Sequence, residues 1–122
     1  MLNASPPGQV LVHLDIARAL EQIGDEAALR GMLPMLQELL ERDLPLIQQR
    51  LVDMDVRGAN QLLHSLKGCL PIFCTPSLCE HLAEVELMSK AGVGPEVGAA
   101  FAELSPKLQA LQLEVAYYLA ST

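Results

Sequence analysis

Asp53–Leu70 reads DMDVRGANQLLHSLKGCL, and its periodicity decides the fold. Asp53-Met54-Asp55 is a short turn, and a helix starts directly after it. Val56, Ala59, Leu63, Leu66 and Leu70 follow at spacings of 3, 4, 3 and 4, the apolar stripe of a helix packed on a core. Asn60, His64, Lys67, Gly68 and Pro71 form a neighbouring stripe of polar or small residues. This places His64 beside the core stripe, facing solvent, with Leu62, Leu63 and Leu66 anchoring the helix beneath it. Residues at i, i+3 and i+4 share a face. One face therefore presents a titratable nucleophile, a fixed positive charge and a position with no side chain.

The same helical period extends in both directions. Leu11 to Ile23 is expected as a first, short helix, closed by Gly24. Asp25 caps a second, which runs to about Val52 with Leu29, Met32, Leu33, Leu36, Leu39, Leu40, Leu44, Ile47 and Leu51 as its apolar positions. Pro34 and Pro45 lie inside it and should bend it, with a break near Asp43-Leu44 as the alternative. Pro71 removes the donor that would bond the Lys67 carbonyl, so a kink is expected just past His64. Thr75-Pro76 is an N-cap followed by proline at the first helical position. A fourth helix follows to about Lys90, with Leu78, Leu82, Val85 and Met88 inward. Ala91–Gly94 is a loop, and Pro95 opens a last helix to about Leu119, kinked at Ser105-Pro106. No repeat and no strand-like alternation interrupts the pattern. The expected fold is all-α: an antiparallel four-helix bundle with a short additional N-terminal helix, as one domain over residues 10–122. Met1 to Gln9 reads as a flexible lead or linker.

Composition narrows the function classes. The chain has 122 residues, no Trp, and aromatic residues at only 3%, so Leu, Ala, Val and Met must fill the core. A net charge of −7 argues against nucleic acid and anionic membrane surfaces as partners. No uncharged run approaches the ~18 apolar residues of a membrane span, and the N-terminus has no signal-peptide pattern. A monomeric, cytoplasmic protein is expected, or the cytoplasmic C-terminal part of a membrane-bound one. Three cysteines without a secretion signal are expected as reduced thiols. Cys69, Cys74, Cys79 and His81 invite a metal reading, but the thiols are spaced by five, which turns each about 140° from the last on a continuous helix, a poor arrangement for zinc. Cys69 and Cys74 read as small apolar residues among Leu70, Ile72 and Phe73. No Gly-rich loop or P-loop marks a nucleotide site. His13 and His81 read as ordinary surface or capping residues.

Imidazole is a good nucleophile near neutral pH, and its N-phosphoryl derivative is labile enough to pass the group on. Lys67 sits one turn along to offset phosphate charge. Glycine in a helix interior costs roughly 0.5–1 kcal/mol against alanine, and steric access for a partner is a reason to tolerate it at Gly68. Gln61 and Ser65 are expected to add hydrogen bonds around the ring.

His64-Ser65-Leu66-Lys67-Gly68 resembles the His-x-x-Lys-Gly signature of histidine-containing phosphotransfer (HPt) domains. Leu14-Asp15, Gly24-Asp25-Glu26 and Leu29 upstream, and Leu78, Leu82, Val85 and Glu86 downstream, are similar to that family's flanking helices. The resemblance spans roughly Leu11 to Lys90. It implies that His64 is phosphorylated, that Lys67 stabilises the phosphate and that Gly68 clears a path for a receiver domain. It also implies that Glu86 and Lys90 flank the histidine from the next helix. An amide is common where Glu86 stands; an anion there repels phosphate unless paired, and Lys67 is the expected pair. Leu63, Cys69, Pro71 and Cys74 depart from the family pattern. The implied protein is a phosphorelay intermediate with no ATP site or autokinase activity and no cofactor of its own. Its partners would be response-regulator receivers, which carry the Mg²⁺, and a hybrid sensor histidine kinase. The competing expectation is a helical interaction module whose His64 carries no phosphoryl group.

Overall fold

The computed structural model describes residues 11–121. Five α-helices follow one another: α1 (Ile16–Ile23), α2 (Glu26–Val52), α3 (Val56–Cys69), α4 (Pro76–Ala91) and α5 (Gly94–Ala120), with a 3₁₀ turn at Leu70–Ile72 between α3 and α4. Among the described residues there are no strands, only an isolated antiparallel bridge between Leu14 and Cys74. The expected lead, Met1 to Gln9, lies outside the described residues. The four long helices make a closed ring of neighbours, α2 on α3 and α5, and α4 on α3 and α5, while α1 lies on α2. Inside the ring sit Leu33, Leu36, Leu40 and Ile47 of α2, Leu63 and Leu66 of α3, and Leu78 and Leu82 of α4. Phe101, Leu104, Leu108 and Leu111 of α5 complete it.

The caps set the boundaries. Asp25 accepts from the Ala28 N–H at 2.7 Å, Asp55 from Gly58 at 2.9 Å and Thr75 from Leu78 at 3.4 Å, each at its helix N-terminus. Gly24 closes α1 at a φ of +107°, a conformation that disfavours any side chain.

One boundary corrects the sequence reading. Leu11–Leu14 is not helical: α1 starts at Ile16, capped by Asp15 through the Arg18 N–H at 3.0 Å. The backbone groups of the arm are taken elsewhere. The buried Glu114 of α5 accepts the N–H groups of Val12, His13 and Leu14 through one oxygen, at 2.8–2.9 Å. Asp15 donates to the Phe73 carbonyl and Thr75 donates to that of His13. With three donors satisfied by one carboxylate, the arm gains nothing by coiling.

The prolines behave unevenly. Pro34, Pro45 and Pro106 lie within continuous helices, and the alternative break at Asp43-Leu44 does not occur. All three prolines are on exposed faces, where water can serve the carbonyls they leave unbonded. Pro71 acts more strongly: α3 ends at Cys69, the chain tightens into the 3₁₀ turn, and the Pro71 carbonyl accepts from Arg18 Nε at 3.0 Å. Met88, expected inward, is exposed; Glu86 and Ser89 hold the inner positions of that turn instead.

Candidate functional site

The site forms where α3 faces the C-terminal half of α4. Leu63 and Leu66 are fully buried, which fixes the rotation of α3 and turns His64 outward. The His64 side chain retains 66% of its exposure, whereas Glu86 opposite retains 1%. Glu86 is the hub. Its Oε1 is 3.1 Å from Lys67 Nζ; its Oε2 lies 3.4 Å from His64 Nδ1 and 3.6 Å from Lys90 Nζ. Asn60 Nδ2 donates to the same Oε2 at 3.1 Å, to Ser89 Oγ at 2.7 Å, and to the Glu86 carbonyl at 3.2 Å. Ser89 Oγ in turn donates to that carbonyl at 2.6 Å.

Electrostatics in this cluster decide the state of Glu86. Burial pushes its carboxyl up. Hydrogen bonds from Lys67 and Asn60, with the charges of Lys67 and Lys90, outweigh that and hold it below the usual carboxylate range. The carboxylate is therefore ionised and faces the Nδ1 edge of His64. At 3.4 Å the contact is long for a hydrogen bond, so it orients the ring mainly by charge. A proton on Nδ1 faces the carboxylate, and the lone pair then sits on Nε2, which has no hydrogen-bond partner among the described residues.

Two glycines on α3 serve different ends. A Cβ at Gly58 would run into the Asp55 carboxylate that caps the helix, so this glycine is required by the fold. A Cβ at Gly68 would meet nothing within 4 Å. No packing within the chain calls for glycine there, and the surface beside His64 is left low and open.

The structure thus brings together His64, Lys67, Glu86 and Lys90, with Gly68 alongside. Gln61 and Ser65 are exposed and make no side-chain hydrogen bonds among the described residues. The expected hydrogen bonds around the ring come from neither. Ser65 instead lines a groove of about 400 Å³ between α2 and α3, with Met35, Leu36, Leu39 and Cys69 as its apolar part and Glu38 and Arg42 as its charged part. In the sequence Asn60 is only one member of a polar stripe, yet it makes most of the hydrogen bonds around Glu86. The signal that could have found it is its position one turn before His64, facing a helix whose inner stripe holds a Glu and a Ser.

His81 Nδ1 is 2.9 Å from Lys107 Nζ, on the α4–α5 face. The cysteines are free thiols. Burial pushes all three up, Cys74 furthest, so they hold their protons at neutral pH. Among the described residues no group of three or more His, Cys, Asp or Glu side chains is placed to hold a metal ion. No described helix is long and apolar enough to cross a membrane.

No family model matches this chain, and neither curated proteins nor solved structures include a detectable match.

Proposed function

We propose that this chain is a phosphorelay intermediate, an antiparallel four-helix bundle of the HPt type that carries a phosphoryl group on His64. The observation that carries the reading is an exposed imidazole whose Nδ1 edge is held by a buried carboxylate, with a lysine one turn away and an open glycine surface beside it. In the proposed step, Nε2 of His64 attacks the phosphorus of a receiver's aspartyl phosphate. The Nε2–P bond forms as the carboxylate O–P bond breaks, and the aspartate leaves as a carboxylate. Nδ1 keeps its proton against Glu86. The reverse sequence delivers the group to the aspartate of a second receiver. Lys67, half-exposed, swings from Glu86 to the phosphoryl oxygens. Mg²⁺ belongs to the receiver, and the chain acts as a carrier rather than as an enzyme with its own nucleotide.

The receiver approaches over Gly68. Its apolar surface rests on the groove between α2 and α3, where Met35 is more than half exposed and Leu39 partly so. The exposed side chain there is a methionine, long and flexible enough to pack against a partner's apolar surface. Incubation with a phosphorylated receiver should give an acid-labile, alkali-stable phosphoryl adduct that His64→Gln abolishes. No adduct from a broad receiver panel refutes the reading and leaves a helical adaptor.

A further inference from the structure

Beside the Glu86 cluster, towards the N-terminal end of α3, lies a second pocket of about 380 Å³. Val56, Arg57, Asn60, Ser89, Lys90 and Gly92 line it, with no carboxylate among them. It shares Asn60 and Lys90 with the surroundings of Glu86, so it adjoins the His64 site. Arg57 precedes His64 by seven residues, which returns it to the same face of α3 about 10 Å along the axis. Its guanidinium is exposed and makes no ion pair or hydrogen bond among the described residues. By contrast, Arg18, Arg30, Arg42 and Arg50 each engage a carbonyl or carboxylate.

The charge distribution gives this pocket a direction. The chain carries 15 acidic against 8 basic residues, yet Arg57, Lys67 and Lys90, three of those eight, converge on the face that bears His64. The one carboxylate at their centre, Glu86, is buried and shared with Lys67 and Lys90. Arg57 is left with its full charge. A partner approaching this otherwise acidic molecule is steered to this face only if its own surface is acidic there.

We propose that the Arg57–Lys90 pocket receives an acidic side chain of the receiver, and that this contact sets the register in which the receiver's aspartate meets His64. The proposal rests on the phosphotransfer reading. Arg57 acts as a docking and specificity residue; it does not touch the reacting atoms. The pocket and the Met35 groove flank α3 on opposite sides, so an ionic contact on one and an apolar contact on the other define one orientation of the partner across Gly68.

The test measures the second-order rate of phosphoryl transfer from a phosphorylated receiver to the whole chain, at low and high ionic strength. Arg57→Ala is compared with Gln109→Glu, which makes the same change in net charge at an exposed position between α2 and α5. Arg57→Ala is expected to slow transfer about tenfold at low ionic strength and to approach the wild-type rate at high ionic strength, with Gln109→Glu close to wild type in both. Arg57→Glu with a receiver whose matching carboxylate is changed to Lys should recover the rate. If the wild type accepts phosphate and Arg57→Ala behaves like Gln109→Glu, the pocket proposal alone fails. If the wild type accepts phosphate from no receiver, the phosphotransfer reading fails and this proposal with it.

Discussion

Replacing Glu86 by Gln separates the two things its carboxylate does. The amide keeps the shape but has one acceptor where the carboxylate has two. Placed at the Oε2 position, its oxygen still receives Asn60 and faces His64 Nδ1, at the 3.1 and 3.4 Å now seen. Its NH₂ group then faces Lys67, and two donors cannot bond. Lys67 has 37% of its side chain exposed and Lys90 51%, so both ammonium groups move into water rather than being left buried and unpaired. Pairs that exposed are worth about 0–1 kcal/mol each. Their loss is offset in part because no charge has to be desolvated at the buried position. The net change in stability should lie within about 1.5 kcal/mol.

The effect on phosphoryl occupancy is larger in proportion. A phosphorus on Nε2 lies one ring width and one bond beyond the Nδ1 contact, about 7 Å from the carboxylate. At that distance each unit of phosphoryl charge costs about 0.6 kcal/mol in bulk water and about 2.4 kcal/mol at an effective dielectric of 20. For a site open on one side the lower half of that range applies. For a single unit of phosphoryl charge, removing the carboxylate should therefore raise the equilibrium ratio of phosphorylated to free His64 about three- to tenfold, and by more for a dianion. The assay equilibrates each variant with a phosphorylated receiver and measures the acid-labile adduct, alongside circular dichroism and urea unfolding. A fall to background in a variant that remains folded refutes the argument. It would mean that ring orientation by the carboxylate outweighs its repulsion of phosphate.

Other outcomes follow from the same contacts. The depressed Glu86 carboxyl stabilises the fold above the usual carboxylate value of 4.5, and that contribution is lost as the pH falls through the lower folded value. Urea titrations in acid should therefore show wild type losing more stability than Glu86→Gln; parallel losses would remove Glu86 from the acid transition. Glu114→Ala strips one acceptor from three backbone N–H groups and should cost about 2–4 kcal/mol in urea unfolding, against under about 1 kcal/mol if water enters freely. Gly68→Ala should raise stability by about 0.5–1 kcal/mol, because its Cβ meets nothing, while Gly68→Gln should slow transfer from a receiver. Undiminished transfer by Gly68→Gln refutes the clearance argument.

What the sequence revealed depended on whether the controlling contacts were local. The α3 stripe, the Asp25 and Thr75 caps and the Gly24 stop involve neighbours three or four residues apart, and each reads directly. The start of α1 did not. Leu11–Leu14 has a helix-compatible pattern, but its backbone is held by Glu114, about 100 residues away, and no local signal announces that. Met88 failed for a related reason. The α4 pattern permits Met88 or Glu86–Ser89 on the inner side, and burying a Glu looks costly until Lys67, Lys90 and Asn60 are known to meet it. At the site, His64, Lys67 and Gly68 lie on one turn and could be grouped from spacing alone. Asn60 and Arg57 share that face, but their use depends on where α4 lies.

The buried carboxylate also bears on why the site sits between two helices. Glu86 is costly to bury alone and is tolerated because donors from α3, Asn60 and Lys67, reach it across the interface. The same donors tie the register of α4 to that of α3 one turn on either side of His64. A slip of either helix by one residue would turn Glu86 away from both and leave its charge in an apolar interior. The charge that orients the imidazole is thus also a penalty on misalignment, and the lysine that completes the pairing is exposed enough to leave it. The proposed phosphotransfer would use both properties: a ring in a fixed position, and a cation whose partner can change without loosening the helices beneath it.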